Sequence, residues 1–423
     1  MLLAACGNDV EVVLDASPGG GPLDVLSVDA PIDAPPEPVA VTLTLLRPPL
    51  DPAAVQLVVA YQDGDGTWTR APAPVGDDYT FTIASGRYGV MVACMNDQLG
   101  APRPARFVQL EYFTVAETAR VTMSSYRCGL PPTANVHGNV ANAISSIAIS
   151  SDGFYGDGWS TYSLPARRGL LDVVATDPPY GPTYASTRLL IVHDVDVVGN
   201  TRIDLDVADA LPTTEHQVIG IVAAPGEQLR TSSALRTANG TDVGLSHASS
   251  TMFRASPVAT RAPGDRDHVS VSIGTSNRSR TLTRWGGPPG DIVGSLPAPL
   301  TAVQCTTDGA TPYPRVLATW GATDADRVHI HLLQPSPAGL GLGDLLLGAA
   351  RSRGHLAGAT SWSLPDFSTI SDWPAVYQPT PGSATSCAVT AYQTAAGPSA
   401  FASLYPPDGT TVRSATADTV WTP

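Results

Sequence analysis

From about residue 39 onward the sequence is broken into runs of strand length that nothing longer interrupts. VAVTLTLL, VQLVVAY, DYTFTI, GVMVAC, FVQLEYF and ARVTMSS follow one another within ninety residues, rich in Val, Thr and aromatics and several of them alternating in polarity. Pro, Gly and Asp clusters separate them, and Gly and Pro number 39 each in 423 residues. The Asp-Gly pairs in AYQDGDGTW supply the positive φ that tight hairpin turns need. No apolar run is long enough to cross a bilayer as a helix. The chain is therefore expected to be all-β, with tandem β-sandwich domains following a disordered N-terminal tether.

Charge narrows the partners. All 24 basic residues are Arg, which removes lysine-dependent chemistry such as Schiff bases, and the net charge is −14. Such a surface repels phosphate, so nucleic acid is not an expected partner.

The five cysteines divide into Cys6 alone, Cys94 with Cys128 in one segment, and Cys305 with Cys387 in another. One lipidated thiol and two disulfides within domains account for all five and suit an oxidising compartment. Other pairings and free thiols are open at this point. The N-terminal Leu2-Leu3-Ala4-Ala5-Cys6 resembles a bacterial lipobox, so residues 1–6 are read as the end of a truncated signal peptide and Cys6 as the lipidation site. The resemblance implies a membrane partner through the lipid, and Gly7 after the cysteine is similar to lipoproteins exported to the outer membrane. Residues 7–38, acidic and Pro-rich, are expected to be a disordered tether; at about 3.1 Å per residue it would span up to roughly 100 Å.

Four β units are expected after the tether: 39–129, 130–214, 215–300 and 301–423. The first two read as copies. Gly86, Val90 and Met91 match Gly169, Val173 and Val174, and Arg120, Val121 and Met123 match Arg202, Ile203 and Leu205, at offsets of 83 and 82 residues. The pattern Gly86-x-Tyr88-x-Val90-x-Val92, repeated as Gly169-x-Leu171-x-Val173-x-Ala175, resembles the carboxypeptidase regulatory-like (transthyretin-like) sandwich modules of bacterial surface lipoproteins, across residues 39–210. That resemblance implies spacer, stabilising or binding modules without catalysis. From Ala302, with Trp320 on an early strand and VTAYQT later, the chain resembles a fibronectin type III-like sandwich. Its departure, GLGLGDLLLGAARSRG (339–354), is expected to be an insertion holding one short helix. Modules of this kind are usually strung in line with small, flexible interfaces.

Candidate chemistry is sparse. His329 and His331 share one strand face but have no evident third ligand. The Asp-rich turns QDGDG (62–66), SDGFYGDG (151–158), HDVDVVGN (193–200) and GATDADR (321–327) offer oxygens to Ca²⁺, none with the twelve-residue calcium-loop pattern; turns also demand Asp and Gly for backbone reasons. No cofactor or metal is otherwise expected. GLGLGD (339–344) lacks the Lys-Ser/Thr of a phosphate loop. No Gly-x-Ser-x-Gly or His-Glu-x-x-His is present, and only six residues are Glu, so no catalytic residue is named and an enzyme is not expected. The loop aromatics Tyr155, Trp159, Trp362 and Trp373 are candidate ligand-binding residues, able to stack on sugars or grip peptides; for Trp362 and Trp285 the alternative is that each ring caps its own core. The expected function is a non-enzymatic, lipid-anchored cell-surface protein with a structural or adhesive binding role on the outer membrane of a Gram-negative-type envelope. A carbohydrate-binding accessory protein or a secreted hydrolase are the alternatives. Oligomeric state and the glycan or protein ligand are not legible.

Overall fold

The computed structural model describes residues 37–46, 52–53, 55–96, 104–124, 128, 134–143, 147–151, 154–158, 160–166, 168–177, 183–286, 290–307, 313–336, 343–403 and 406–422. Cys6 and residues 7–36 of the expected tether lie outside them. The chain is all-β, built of tandem sandwiches whose alternating strands turn every second residue inward; His329 and His331, for example, point away from the core that Val328, Ile330 and Leu332 enter.

The first sandwich pairs Val39–Leu46 antiparallel with Asp78–Ile83 and parallel with Arg120–Ser124. Its facing sheet runs Thr69–Arg70, Val58–Asp63, Arg87–Asn96, Ala105–Thr114, all antiparallel. The second repeats this order. Ala134–Ala141 lies between antiparallel Thr161–Ala166 and the parallel pieces Asn200–Arg202 and Leu205–Asp206. Opposite it run Phe154–Gly158, Ile147–Ser151, Gly169–Asp177 and Arg188–Val197. The glycines matched in sequence, Gly86 and Gly169, both take positive φ at the start of the same strand of their copies. Val90 and Val173, two β-branched residues one offset apart, are both fully buried.

The unit after 214 has the same strand order, so the fold contains three copies where the sequence suggested two. Thr214–Ile219 pairs antiparallel with Met252–Ala255 and parallel with Ile292–Val293. Its second sheet runs Asp242–Ala248, Gln228–Arg236, Arg266–Gly274, Arg278–Trp285. Gly264, again at positive φ, lies just before the strand equivalent to those opened by Gly86 and Gly169.

The C-terminal sandwich sets the three strands Gln304–Thr307, Val316–Thr319 and Ser361–Ser363 against the four strands Leu345–Ser352, Arg327–Gln334, Thr385–Thr394 and Thr411–Trp421. Within the segment expected as an insertion holding one short helix (339–354), residues 345–352 form the edge strand Leu345–Ser352, and the short helix Arg353–Leu356 begins at the segment's end. In LLLGAARS the alternation Leu345, Leu347, Ala349 is buried, which is a strand's period and not a helix's.

That edge strand pairs parallel with Ala105–Thr114 of the first sandwich. On the opposite edge Thr411–Trp421 pairs antiparallel with Arg278–Trp285 of the third. One thirteen-stranded sheet results, completed by Tyr184–Ala185 on Asp242–Ala248. The small interfaces expected between successive modules do not describe these junctions. Val58, Met91 and Leu110 share one core with Trp320, Val328 and Val389, so the first and last sandwiches bury apolar surface together.

Candidate functional site

Cysteine geometry accords with the oxidising reading. Cys94 and Cys128 are paired with Cα atoms 5.3 Å apart, and Cys305 and Cys387 with Cα atoms 6.5 Å apart. Each bridge ties a strand of one sheet to chain outside it, within its own sandwich.

The aromatic candidates are not gathered into a surface. Trp362 is 5% exposed, in the shared core of the first and last sandwiches, so its face is unavailable for stacking on a glycan. Trp373 is half-buried, with its ring 4.8 Å from Phe367 and 5.4 Å from Tyr377. The physical reason is that residues 361–377 fold down over the first sandwich: Tyr377 Oη donates to the Gln56 carbonyl at 2.8 Å, and Thr369 Oγ1 to the Trp68 carbonyl at 3.1 Å. Trp285 is partly buried against His268, ring centroids 4.7 Å apart. Trp159 lies outside the described residues, and Tyr155 is described only by its backbone, in the strand Phe154–Gly158.

In two of the Asp-rich turns, 62–66 and 321–327, a carboxylate accepts from the backbone of another segment. Asp63 accepts from the amides of Ala84 and Ser85 at 3.0 Å each, and Asp326 accepts from the Thr394 amide at 2.8 Å. Both tie one loop to another across the sandwich, which uses the carboxylate without a cation. The rings of His329 and His331 lie 4.2 Å apart, and no third metal-ligating side chain joins them among the described residues.

One cluster stands apart, at the junction of the second and third sandwiches. In the second, the register of Gly169–Asp177 against Arg188–Val197 shifts between Leu171 and Val173, whose partners are Val195 and Val192. His193 and Asp194 thus oppose the single residue Asp172, a β-bulge, with Asp194 at φ 55°. The bulge brings the three polar side chains to one place. In the third sandwich, the turn after Gln228–Arg236 and the loop before Arg266–Gly274 supply the facing groups. Asn239 Nδ2 donates to Asp172 Oδ1 at 3.0 Å and to Asp194 Oδ1 at 2.9 Å, and Thr241 Oγ1 donates to the Asp172 carbonyl at 2.9 Å. Asp265 accepts from the amides of Ala238 (2.8 Å) and Ala262 (2.9 Å).

His193 lies between the two carboxylates. Its Nδ1 is 3.4 Å from Asp172 Oδ1, and its Nε2 is 3.7 Å from Asp265 Oδ2 and 2.9 Å from the Thr260 carbonyl. The side chains of Asp172 and Asp265 are wholly buried. Burial pushes the Asp172 carboxyl up, but the hydroxyl of Thr237, the amide of Asn239, the Asp194 N–H and His193 outweigh it and hold the group below the usual carboxylate range. Alongside runs an apolar contact of Val174 and Leu189 with Leu235, Val243 and Leu245.

Asp172, Asn239 and Asp265 were not legible as a site, and His193 and Asp194 appeared only as part of an Asp-rich turn. The available signal was a carboxylate in the middle of an apolar strand, Leu-Leu-Asp-Val-Val, where burial without a partner would cost several kcal/mol.

No helix among the described residues is long and apolar enough to cross a membrane. No protein-family model matches the chain, and no curated protein does. Among solved structures, it is similar to a tetra-tandem repeat in the extending region of a large adhesion protein, at 12% identity over 90% of this chain and 99% of that one, with a TM-score of 0.14. It is also similar to the Bacillus anthracis TIE protein, at 8% identity over 83% of this chain and 62% of that one, with a TM-score of 0.13. TM-scores this low show neither a common fold nor a common function.

Proposed function

We propose that this chain is a non-catalytic, lipid-anchored cell-surface protein whose sandwiches form one stiff presenting body. The observation that carries the reading is the thirteen-stranded sheet, in which the C-terminal sandwich is hydrogen-bonded on one edge to the first sandwich and on the other to the third. A body built to hold modules in fixed relation suits display or load-bearing adhesion. The two cysteine pairs support an oxidising, exported compartment.

The strand order shared by the three copies is what supports transthyretin-like modules, and the three-on-four arrangement after residue 300 supports a fibronectin type III-like one. The anchor is assigned to Cys6 and the outer membrane. Mass analysis of the N-terminal peptide, taken from protein in its native membrane fraction, tests it. An acylated Cys6 as the first residue is expected. An unmodified Met1 on cytoplasmic protein would overturn the anchor and the surface role together. A glycan-binding role has lost Trp362 as a stacking residue, and no other observation favours it.

A further inference from the structure

We propose that Asn239 is a site of spontaneous deamidation, and that its conversion to a carboxylate releases the second sandwich from the third in one direction only.

The chain has a single Asn-Gly pair, Asn239-Gly240, in the turn between Gln228–Arg236 and Asp242–Ala248. An asparagine followed by glycine reacts with its own backbone, because glycine has no side chain to block the approach. The Gly240 nitrogen loses its proton and bonds to Asn239 Cγ, the Cγ–Nδ2 bond breaks, and ammonia leaves. Solvent water then opens the five-membered imide at either carbonyl, giving aspartate or isoaspartate. Water enters and ammonia departs, with no other reactant.

The place of this pair gives the reaction its consequence. The turn docks on Asp172 of the second sandwich through alternate side chains: Thr237 and Asn239 donate to the carboxylate, and Thr241 to the main-chain carbonyl. Asn239 Nδ2 donates to Asp172 Oδ1 at 3.0 Å and to Asp194 Oδ1 at 2.9 Å. Deamidation replaces this donor by a group that only accepts. Three carboxylates then share one place, and the Asp172 side chain there is wholly buried. Isoaspartate also lengthens the main chain by one carbon. That lengthening falls inside the turn closed by Gly240 N–H to the Thr237 carbonyl at 3.0 Å and Thr237 N–H to the Thr241 carbonyl at 2.9 Å.

The same contacts decide when the reaction occurs. In the docked turn the Gly240 N–H is committed to Thr237, and the carboxamide is held by Asp172 and Asp194. Attack needs both groups released, so Asn239 reacts from the opened junction. Each opening carries a chance of conversion, and the product cannot redock as the amide did.

The test holds the full chain at neutral pH, folded and in urea, and follows the Asn239 peptide by mass spectrometry with fragmentation that separates aspartate from isoaspartate. Both products are expected at Asn239, forming more than about tenfold more slowly in the folded chain than in urea. Hydrogen exchange of Asn239→Asp reads the consequence. The amides of Asp194 and Thr241, bonded to Asp172 Oδ1 and Thr237 Oγ1, should exchange faster than in the parent, while those of Arg327–Gln334 stay as they were. Asn239→Ala, which removes the donor without adding charge, should fall between the two. Should Asn239→Asp fail to fold, parent chain aged until Asn239 has converted gives the same readout. The proposal is overturned if Asn239 deamidates equally fast folded and in urea or in neither, or if Asn239→Asp opens those amides no more than Asn239→Ala does.

Discussion

Arg327 Nη2 reaches both carboxylate oxygens of Glu111, at 2.6 and 2.5 Å, across the junction of the last sandwich with the first. Both side chains are largely buried, at 15% and 7% exposure. Glu111 lies on the strand Ala105–Thr114 and Arg327 at the start of Arg327–Gln334, one strand beyond the parallel pairing that fuses the two sheets. Removing either partner leaves a buried charge uncompensated. Arg327→Met is expected to cost about 3–5 kcal/mol in denaturant unfolding, and the double variant Glu111→Leu/Arg327→Met markedly less than the sum of the singles. Additive singles of under about 1 kcal/mol would show that the pair holds nothing together.

Glycines separate two kinds of constraint within the repeat. A Cβ on Gly138 would lie 1.8 Å from the Ile203 carbonyl oxygen, the same oxygen that accepts from Tyr162 Oη at 2.7 Å. Gly138→Ala must push the parallel strand away, at a cost of about 3 kcal/mol or more. Gly86 and Gly169 have open space around them and only their positive φ to defend, so Gly86→Ala and Gly169→Ala should cost about 1–2 kcal/mol each. Thermal melts of the three variants check the order.

His355 makes stability depend on pH. Burial, and then Arg351, push its imidazole down from 6.5 to about 4, and its Nδ1 accepts from Arg351 Nε at 3.3 Å, which requires the neutral ring. A depressed histidine contributes fully above about pH 6.5 and loses that contribution as pH falls toward 4, by up to about 3 kcal/mol. His268, also lowered to about 4 by burial, acts in the same direction; Asp267, raised to about 6 by burial, acts in the opposite one. Urea unfolding of His355→Gln and parent at pH 7, 5.5 and 4 isolates the one group. The parent should lose more stability than the variant across that range, and parallel curves would contradict the assignment.

The disulfides close loops with separations of 34 and 82 residues. Chain entropy puts each at about 4 kcal/mol. Cys94→Ser/Cys128→Ser and Cys305→Ser/Cys387→Ser should each lower the denaturant midpoint by a corresponding amount, measured under non-reducing conditions.

The strands themselves were legible because side-chain alternation is local. Their pairing was not, because it joins residues far apart in sequence. Ala105–Thr114 shows why: Phe107, Val108, Leu110, Tyr112 and Phe113 are all buried, on both faces, which is the mark of a strand covered on both sides. ARFVQLEYFT carries that mark in having large apolar residues on both alternations, Phe107 and Phe113 on one and Val108, Leu110 and Tyr112 on the other, but the pattern does not say that Leu345–Ser352 is the neighbour. The third copy was missed for a different reason. Gly264 keeps the positive φ, but one residue more separates it from Val269 than separates Gly86 from Val90, and the fixed offset that exposed the second copy is lost. Trp362 looked like a loop residue because glycine and proline neighbours mark turns, not the direction in which a loop folds.

Native-state hydrogen exchange at rising denaturant tests the continuous sheet most directly. If the first and last sandwiches are one body, the amides of 105–114 and 345–352 exchange slowly and open together, with the same free energy as Arg327–Gln334. If 345–352 exchanges as an uncovered sheet edge while Arg327–Gln334 stays protected, the junction does not exist in solution and the stiff presenting body falls with it.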